Sequence, residues 1–201
     1  MGQTRQYRTI LDAAIEEFSR IGYKATSMQV IANRAGIPKA NVHYYFKNKE
    51  NLYREVLNHI IEVWNVSFDE IQNHEDPAVA LDRMIRAKVR LSYTHANASR
   101  LFANEIIHGA EHLGDYLKQD MRQWVREKSR IIQSWIDAGK MDRVDPVHLI
   151  FLIWSSTQHY ADFETQVLTI LNRVEYETEM IDGIADFLSQ VILKGCGLKA
   201  P

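Results

Sequence analysis

Between Ala35 and Lys49 the chain reads AGIPKANVHYYFKNK, with Lys39, Asn41 and His43 between a Gly-Pro turn and an aromatic cluster. These are side chains that read nucleic acid. Lysine reaches guanine O6 or N7, asparagine pairs bidentately with adenine, and histidine bonds a base edge or a phosphate. Gly36 can take positive φ and close a preceding helix. Pro38 suits the first turn of the next helix, where its missing N–H costs nothing. The spacing predicts a short helix over Lys39–Tyr45, too short to persist alone. Val42, Tyr45 and Phe46 must therefore anchor it. A short helix held at a fixed angle, polar side outward, is what reading a major groove requires.

A second constellation is Trp154-Ser-Ser-Thr-Gln-His-Tyr160. It lies in a predicted helix, Val147–Phe163, that is apolar almost all round before Trp154 and so reads as buried. At helical spacing Trp154, Thr157 and Gln158 share one side. A planar, neutral heterocycle can stack on Trp154, and Gln158 offers its amide edge both a donor and an acceptor. The same side chains also suit a core or dimer-interface network. Ser155, Ser156, His159 and Tyr160 cannot all face one pocket.

Two weaker groupings carry little chemistry. His108 and His112 are four apart, near Glu105 and Glu111, but Gly109 and Gly114 disfavour a helix there, and HGAEH is not the zinc-protease order. The segment reads as a solvated loop, and no metal or cofactor is expected. Cys196, in Lys-Gly-Cys-Gly-Leu, reads as part of a frayed end. No acid–base or nucleophile set converges, so the chain does not read as an enzyme.

The elements that must position these residues are all helical. Helices are predicted over 5–20 (ended by Gly22), Ser27–Ala35, and Lys39–Tyr45. A long fourth helix, capped by Asn48, carries the stripe Leu52, Val56, Ile60, Val63 and Trp64, extending toward Ile71. A break at His74–Pro77 follows. Further helices are expected over 77–94, 98–107, 115–138, 147–163 (started by Asp145-Pro146) and 175–193. The expectation is an all-α fold of about nine helices. Residues 1–50 would form a three-helix helix-turn-helix DNA-binding domain, and 51–201 a helical ligand-binding and dimerisation domain.

Composition agrees. The 201 residues are 46% hydrophobic with only 4 Pro, which suits a globular helical chain. The net charge of −2 hides an asymmetry: residues 1–54 hold nine Lys/Arg against four Asp/Glu, and the remainder fifteen against twenty-two. A basic head on an acidic body fits DNA binding at one end only. No uncharged apolar run is long enough to span a bilayer, and the N-terminus lacks the apolar core of a secretory signal. A single cysteine fits a reducing cytoplasm.

Phe18-x-x-x-Gly22-Tyr23, Thr26, Val30-Ile31-Ala32, Ala35-Gly36-Ile37 and Tyr44-Tyr45-Phe46-x-x-Lys49 together resemble the head of the TetR family of bacterial transcriptional regulators. The resemblance implies an all-α homodimer with a helix-turn-helix head, double-stranded operator DNA as partner, and a variable effector-binding body. On resemblance and expected exposure, Gln29, Lys39, Asn41 and His43 are base-edge candidates, and Ala40 can meet a thymine methyl. Ser27, Tyr44 and Lys49 are phosphate candidates, the first and last at helix starts that favour anions.

In the body, Ala98–Phe102, Glu127-Lys128-Ser129, Asp145–Phe151 and Trp154–Phe163 are similar to the branch that regulates pyrimidine utilisation and senses uracil. That resemblance adds Trp64 and Lys88 to Trp154 and Gln158 as effector contacts. It implies a dimer built from helices 147–163 and 175–193. A fatty acyl, aromatic or drug-like effector is the alternative.

Overall fold

The computed structural model describes residues 2–68, 75–199 and 201, and all regular structure among these residues is helical. In chain order the helices are α1 (Gly2–Ala25), α2 (Met28–Ala35), α3 (Lys39–Phe46), α4 (Lys49–Phe68), α5 (Pro77–Thr94) and α6 (Ala96–Ile107). Then come α7 (Gly114–Tyr116), a π-helical turn (Leu117–Met121), α8 (Arg122–Asp137), α9 (Pro146–Asp162), α10 (Glu164–Leu171) and α11 (Thr178–Gly195). The extension of the α4 stripe to Ile71 and the break at His74 lie outside the described residues. Helix α10 adds one element to those the sequence pattern predicts.

The chain forms two compact units, Met1–Val63 with Asn97–Leu113, and Trp64–Ala96 with Gly114–Pro201. The first therefore runs past residue 50 and takes in most of α6. Local rules explain its joints. Helical geometry in α1 breaks at Gly22 (φ 80°, ψ 164°), a conformation that disfavours any side chain. The Ser27 hydroxyl accepts from the Val30 N–H at 3.3 Å and caps α2. Gly36 closes α2 in the left-handed region (φ 64°), and Pro38 immediately precedes α3. Asn48 accepts from the Asn51 N–H at 2.8 Å, capping α4 as expected. Val42 and Phe46 bury the inner side of α3 against a core that includes Ile10, Ala14, Phe18, Ile31, Leu52 and Val56.

One charge lies inside this unit. Glu17 is buried, and Arg20 (2.6 Å) and Arg34 both donate to its carboxylate. Burial alone would raise its pKa, but the hydrogen bonds from Arg20 and Arg34 outweigh it and hold the group below the usual carboxylate range.

In the second unit α5 packs against both α9 and α11, through Leu81, Met84, Ile85 and Val89 on one side of the cluster and Ile150, Ile153, Leu188 and Ile192 on the other. Asp145 caps α9, accepting from Val147 N–H (2.9 Å) and His148 N–H (3.0 Å). Asp82, Arg86, Asp186 and Ser189 tie α5 to α11 through charge-assisted bonds. The C-terminal segment is docked rather than frayed. Cys196 is 1% exposed, its carbonyl accepts from the Asp142 N–H at 2.9 Å, and burial pushes its thiol up to about 11.

Because Glu17 titrates lower in the folded state, its contribution is complete above the unfolded carboxylate pKa and is lost as pH falls through the folded one. Glu17→Gln is expected to cost about 2 kcal/mol at pH 7. Thermal melts of both proteins should converge as pH is lowered from about 5 toward 2. A constant gap across that range would contradict this account.

Candidate nucleic-acid interface and effector site

Helices α2 and α3 present a polar surface. Ser27, Gln29, Lys39, Ala40, His43 and Tyr44 are exposed, Tyr44 at 75%, and Asn41 is half-buried. Several are already oriented by neighbours. Gln29 Nε2 donates to Asn33 Oδ1 at 2.8 Å, leaving its carbonyl outward. His43 Nδ1 lies 2.9 Å from the Lys47 carbonyl. A carbonyl only accepts, so Nδ1 carries the proton and Nε2 is left as an acceptor. The Lys47 N–H in turn donates to the His43 carbonyl at 2.9 Å, which ends α3 with Lys47 at φ 60°. Ser27 uses an oxygen lone pair on its cap, so its hydroxyl proton remains available to a phosphate. Tyr45 is half-buried, its ring edge-on to Tyr7 and its hydroxyl donating to Gln6 at 3.3 Å.

Lys49, a phosphate candidate, is engaged within its own unit. Its ammonium donates to the carbonyls of Tyr23 (2.9 Å), Lys24 (3.3 Å) and Thr26 (3.0 Å) and sits 4.4 Å from the centre of the Tyr23 ring. All three protons are spent on carbonyls at the end of α1 and just beyond it. A position four residues after an aromatic pair gave no hint of this, because the partners lie more than twenty residues earlier.

Asn97–Leu113 supplies a polar network that the solvated-loop expectation also missed. The buried Glu105 carboxylate accepts from the Tyr53 hydroxyl at 3.0 Å and from the His112 backbone N–H at 2.7 Å, with His112 Nδ1 at 3.2 Å. The Tyr23 and Tyr53 rings pack 4.6 Å apart, and His112 lies 5.3 Å from the first and 5.0 Å from the second. Among the described residues no group of three or more His, Cys, Asp or Glu is arranged to hold a metal ion.

In the second unit Lys88, on α5, is 4% exposed, and its ammonium lies 5.8 Å from the centre of the buried Trp64 ring. Burial pulls the Lys88 amine down to about 7, against the opposing pull of Asp162 on α9. Asp162 falls one turn beyond Gln158, which falls one turn beyond Trp154, so the three share a stripe of α9. Gln158 is half-buried, and so is Trp154, whose ring stacks on Trp124 of α8 at 5.7 Å.

The other hydroxyls of this stretch turn back on their own helix. Ser156 donates to Leu152 (2.7 Å) and the buried Thr157 to Ile153 (2.6 Å). Their protons are thus satisfied within α9. Among the described residues no helix is long and apolar enough to cross a membrane.

Comparison with known proteins places this geometry in context. Residues 10–56 match the family described as bacterial regulatory proteins, tetR family, and residues 57–199 match the YcdC-like protein C-terminal region. The chain is 37% identical over 188 residues to the HTH-type transcriptional regulator RutR of Escherichia coli K12, covering 94% of this chain and 89% of that protein. Its fold is similar to a TetR-like transcriptional regulator from Rhodococcus sp. RHA1 (TM-score 0.69, 19% identity, 94% of each chain covered). It is also similar to AibR in complex with isovaleryl coenzyme A and operator DNA (TM-score 0.70, 18% identity, 92% of this chain and 97% of that one).

Two measurements test the roles assigned above. On a duplex selected from random sequence by the protein itself, Asn41→Ala should lose about 1–3 kcal/mol of discrimination at one base position, and Lys39→Ala should flatten the salt slope by about one. Lys49→Ala should instead lower stability by about 2 kcal/mol and leave the salt slope unchanged. A flattened slope would restore Lys49 to the interface. For Lys88, the folded amine holds its proton less tightly than the unfolded one, so stability rises as pH climbs from about 7 to about 10. Lys88→Met should abolish that rise in melts run over the same interval.

Proposed function

The chain belongs to the TetR family of bacterial regulatory proteins and is a DNA-binding transcriptional regulator, and from that premise we propose that it is a homodimeric repressor released from a near-palindromic operator by a pyrimidine base such as uracil. The observation that carries the effector reading is the stripe Trp154–Gln158–Asp162 on α9 together with the buried Lys88. It combines a stacking plane, an amide and a hydrogen-bonding amine, which match the faces and edges of a small, flat, polar heterocycle. The resemblance of Trp154–Phe163 to uracil-sensing regulators supports the same ligand class.

Dimerisation rests on exposed apolar side chains of the second unit. Val147, Phe151 and Leu152 on α9, and Phe187 and Val191 on α11, are each at least 36% exposed, and apolar side chains grouped on a surface suit an interaction site. A two-fold four-helix interface would cover them and would set two heads on two half-sites. Ligand then acts by population shift. It binds one head spacing better than the other, and operator affinity falls by the same differential. Helix α4 is the covalent carrier, with Lys49 in its first turn and Trp64 in its last part. The protein would act where its DNA is, in the cytoplasm.

The test is operator binding by fluorescence anisotropy during titration with uracil, thymine and an acyl-coenzyme A, with sedimentation of the complex to count chains. Uracil should weaken operator binding at least about tenfold and raise the melting temperature, with two chains or a multiple of two per duplex. Trp154→Ala and Gln158→Ala should each weaken uracil binding by about 1–3 kcal/mol. Release by the acyl-coenzyme A and by neither base would replace the pyrimidine with the acyl alternative.

A further inference from the structure

The second unit carries a charge arrangement that neither operator reading nor effector binding uses. Lys118 in the π-helical turn and Arg122, Arg126 and Arg130 in α8 follow one another at intervals of four residues. All four are exposed, and together with Gln119 and Gln123 they line an open groove of about 450 Å³. At 1.5 Å per residue, the row extends roughly 18 Å along the helix, one cation per turn.

Like charges four apart on a helix repel. None of the four has a carboxylate partner among the described residues. Glu127 is the one acid among the lining residues, and it accepts from Gln123 Nε2 at 2.9 Å. The row also stands out against an acidic background. Residues 55–201 carry fifteen Lys/Arg and twenty-two Asp/Glu, and four of the fifteen are concentrated here. A second observation is the π-helical turn, Leu117–Met121, where the row begins. Such turns reset helical register and recur at functional sites.

We propose that this face of α8 is a second DNA-contacting surface that binds the sugar–phosphate backbone of duplex DNA without regard to sequence. Charge complementarity sets the class of partner, and the linear spacing selects within it. A single phosphate engages at most two cations this far apart, whereas an extended polyanion engages the whole row. The interleaved glutamines add neutral donors for phosphate oxygens. Arginine, three times in the row, binds phosphate bidentately. Duplex DNA is the polyanion that a regulator of this family already meets. The surface would add affinity and salt dependence but no base preference.

The test uses the full-length protein without effector, so its outcome is independent of the pyrimidine reading. Binding to a random-sequence duplex of about sixty base pairs, long enough for contacts beyond one site, is measured across a salt series. The variant Lys118→Gln/Arg122→Gln/Arg126→Gln/Arg130→Gln should lower the slope of log K against log salt by roughly three. The triple variant Arg122→Lys/Arg126→Lys/Arg130→Lys should keep the parent slope. Circular dichroism melts confirm that both are folded. In parallel, Gln119→Cys carrying a photoactivatable group should crosslink to the duplex. Coincident slopes for parent and glutamine variant would overturn the proposal. So would a Gln119 probe that captures a second copy of the chain and no DNA, or a row whose neutralisation abolishes binding to anionic lipid vesicles and leaves DNA binding untouched.

Discussion

The head depends on the Lys49 ammonium. Helical geometry in α1 breaks at Gly22, and beyond the break the carbonyls of Tyr23, Lys24 and Thr26 take the Lys49 ammonium as their donor. An ammonium donating to all three, over the Tyr23 ring, ties the end of α1 to the start of α4. Between those two points lie α2 and α3, the elements that present Gln29, Lys39, Asn41 and His43. A helix of eight residues has little intrinsic stability, so its angle is set by what holds its two ends and by the burial of Val42 and Phe46. The placement of this surface is thus inherited from a contact made outside α2 and α3.

Buried charge recurs in the first unit as a way of fixing geometry. Glu17 is held by two arginines, and Glu105 by a tyrosine hydroxyl and the backbone and ring of His112. Each is costly to bury and each is hydrogen-bonded, which makes one arrangement of the surrounding helices favourable and others poor. Lys88 differs. Burial lowers the proton affinity of its amine despite the opposing pull of Asp162, and the ammonium lies beside the Trp64 ring.

The surfaces divide the work by chemistry. The α2–α3 face offers hydrogen-bonding groups of the kind that suit base edges. The exposed apolar residues of α9 and α11 suit a second copy of the chain, because only apolar burial repays covering them. The cationic face of α8 suits neither role and matches a polyanion.

The sequence by itself determined what depends on near neighbours. Helix starts at Ser27, Asn48 and Asp145, the closure at Gly36, the apolar stripes and the Thr26–Lys49 motif all follow from residues within a turn or two, so the all-α class and the family were legible. It also placed Trp154 and Gln158 on one side of α9, since periodicity alone decides that. What tertiary structure decided is every partner distant in the chain. Lys49 looked like a phosphate contact and is spent on α1. His112 looked solvated and is bonded to Glu105, Cys196 looked frayed and is buried, and Asn97–Leu113 belongs to the same compact unit as the head. Local propensity acts over a few residues, whereas a buried hydrogen bond is chosen by whichever group the fold brings within 3 Å, and no spacing rule in one sequence encodes that choice.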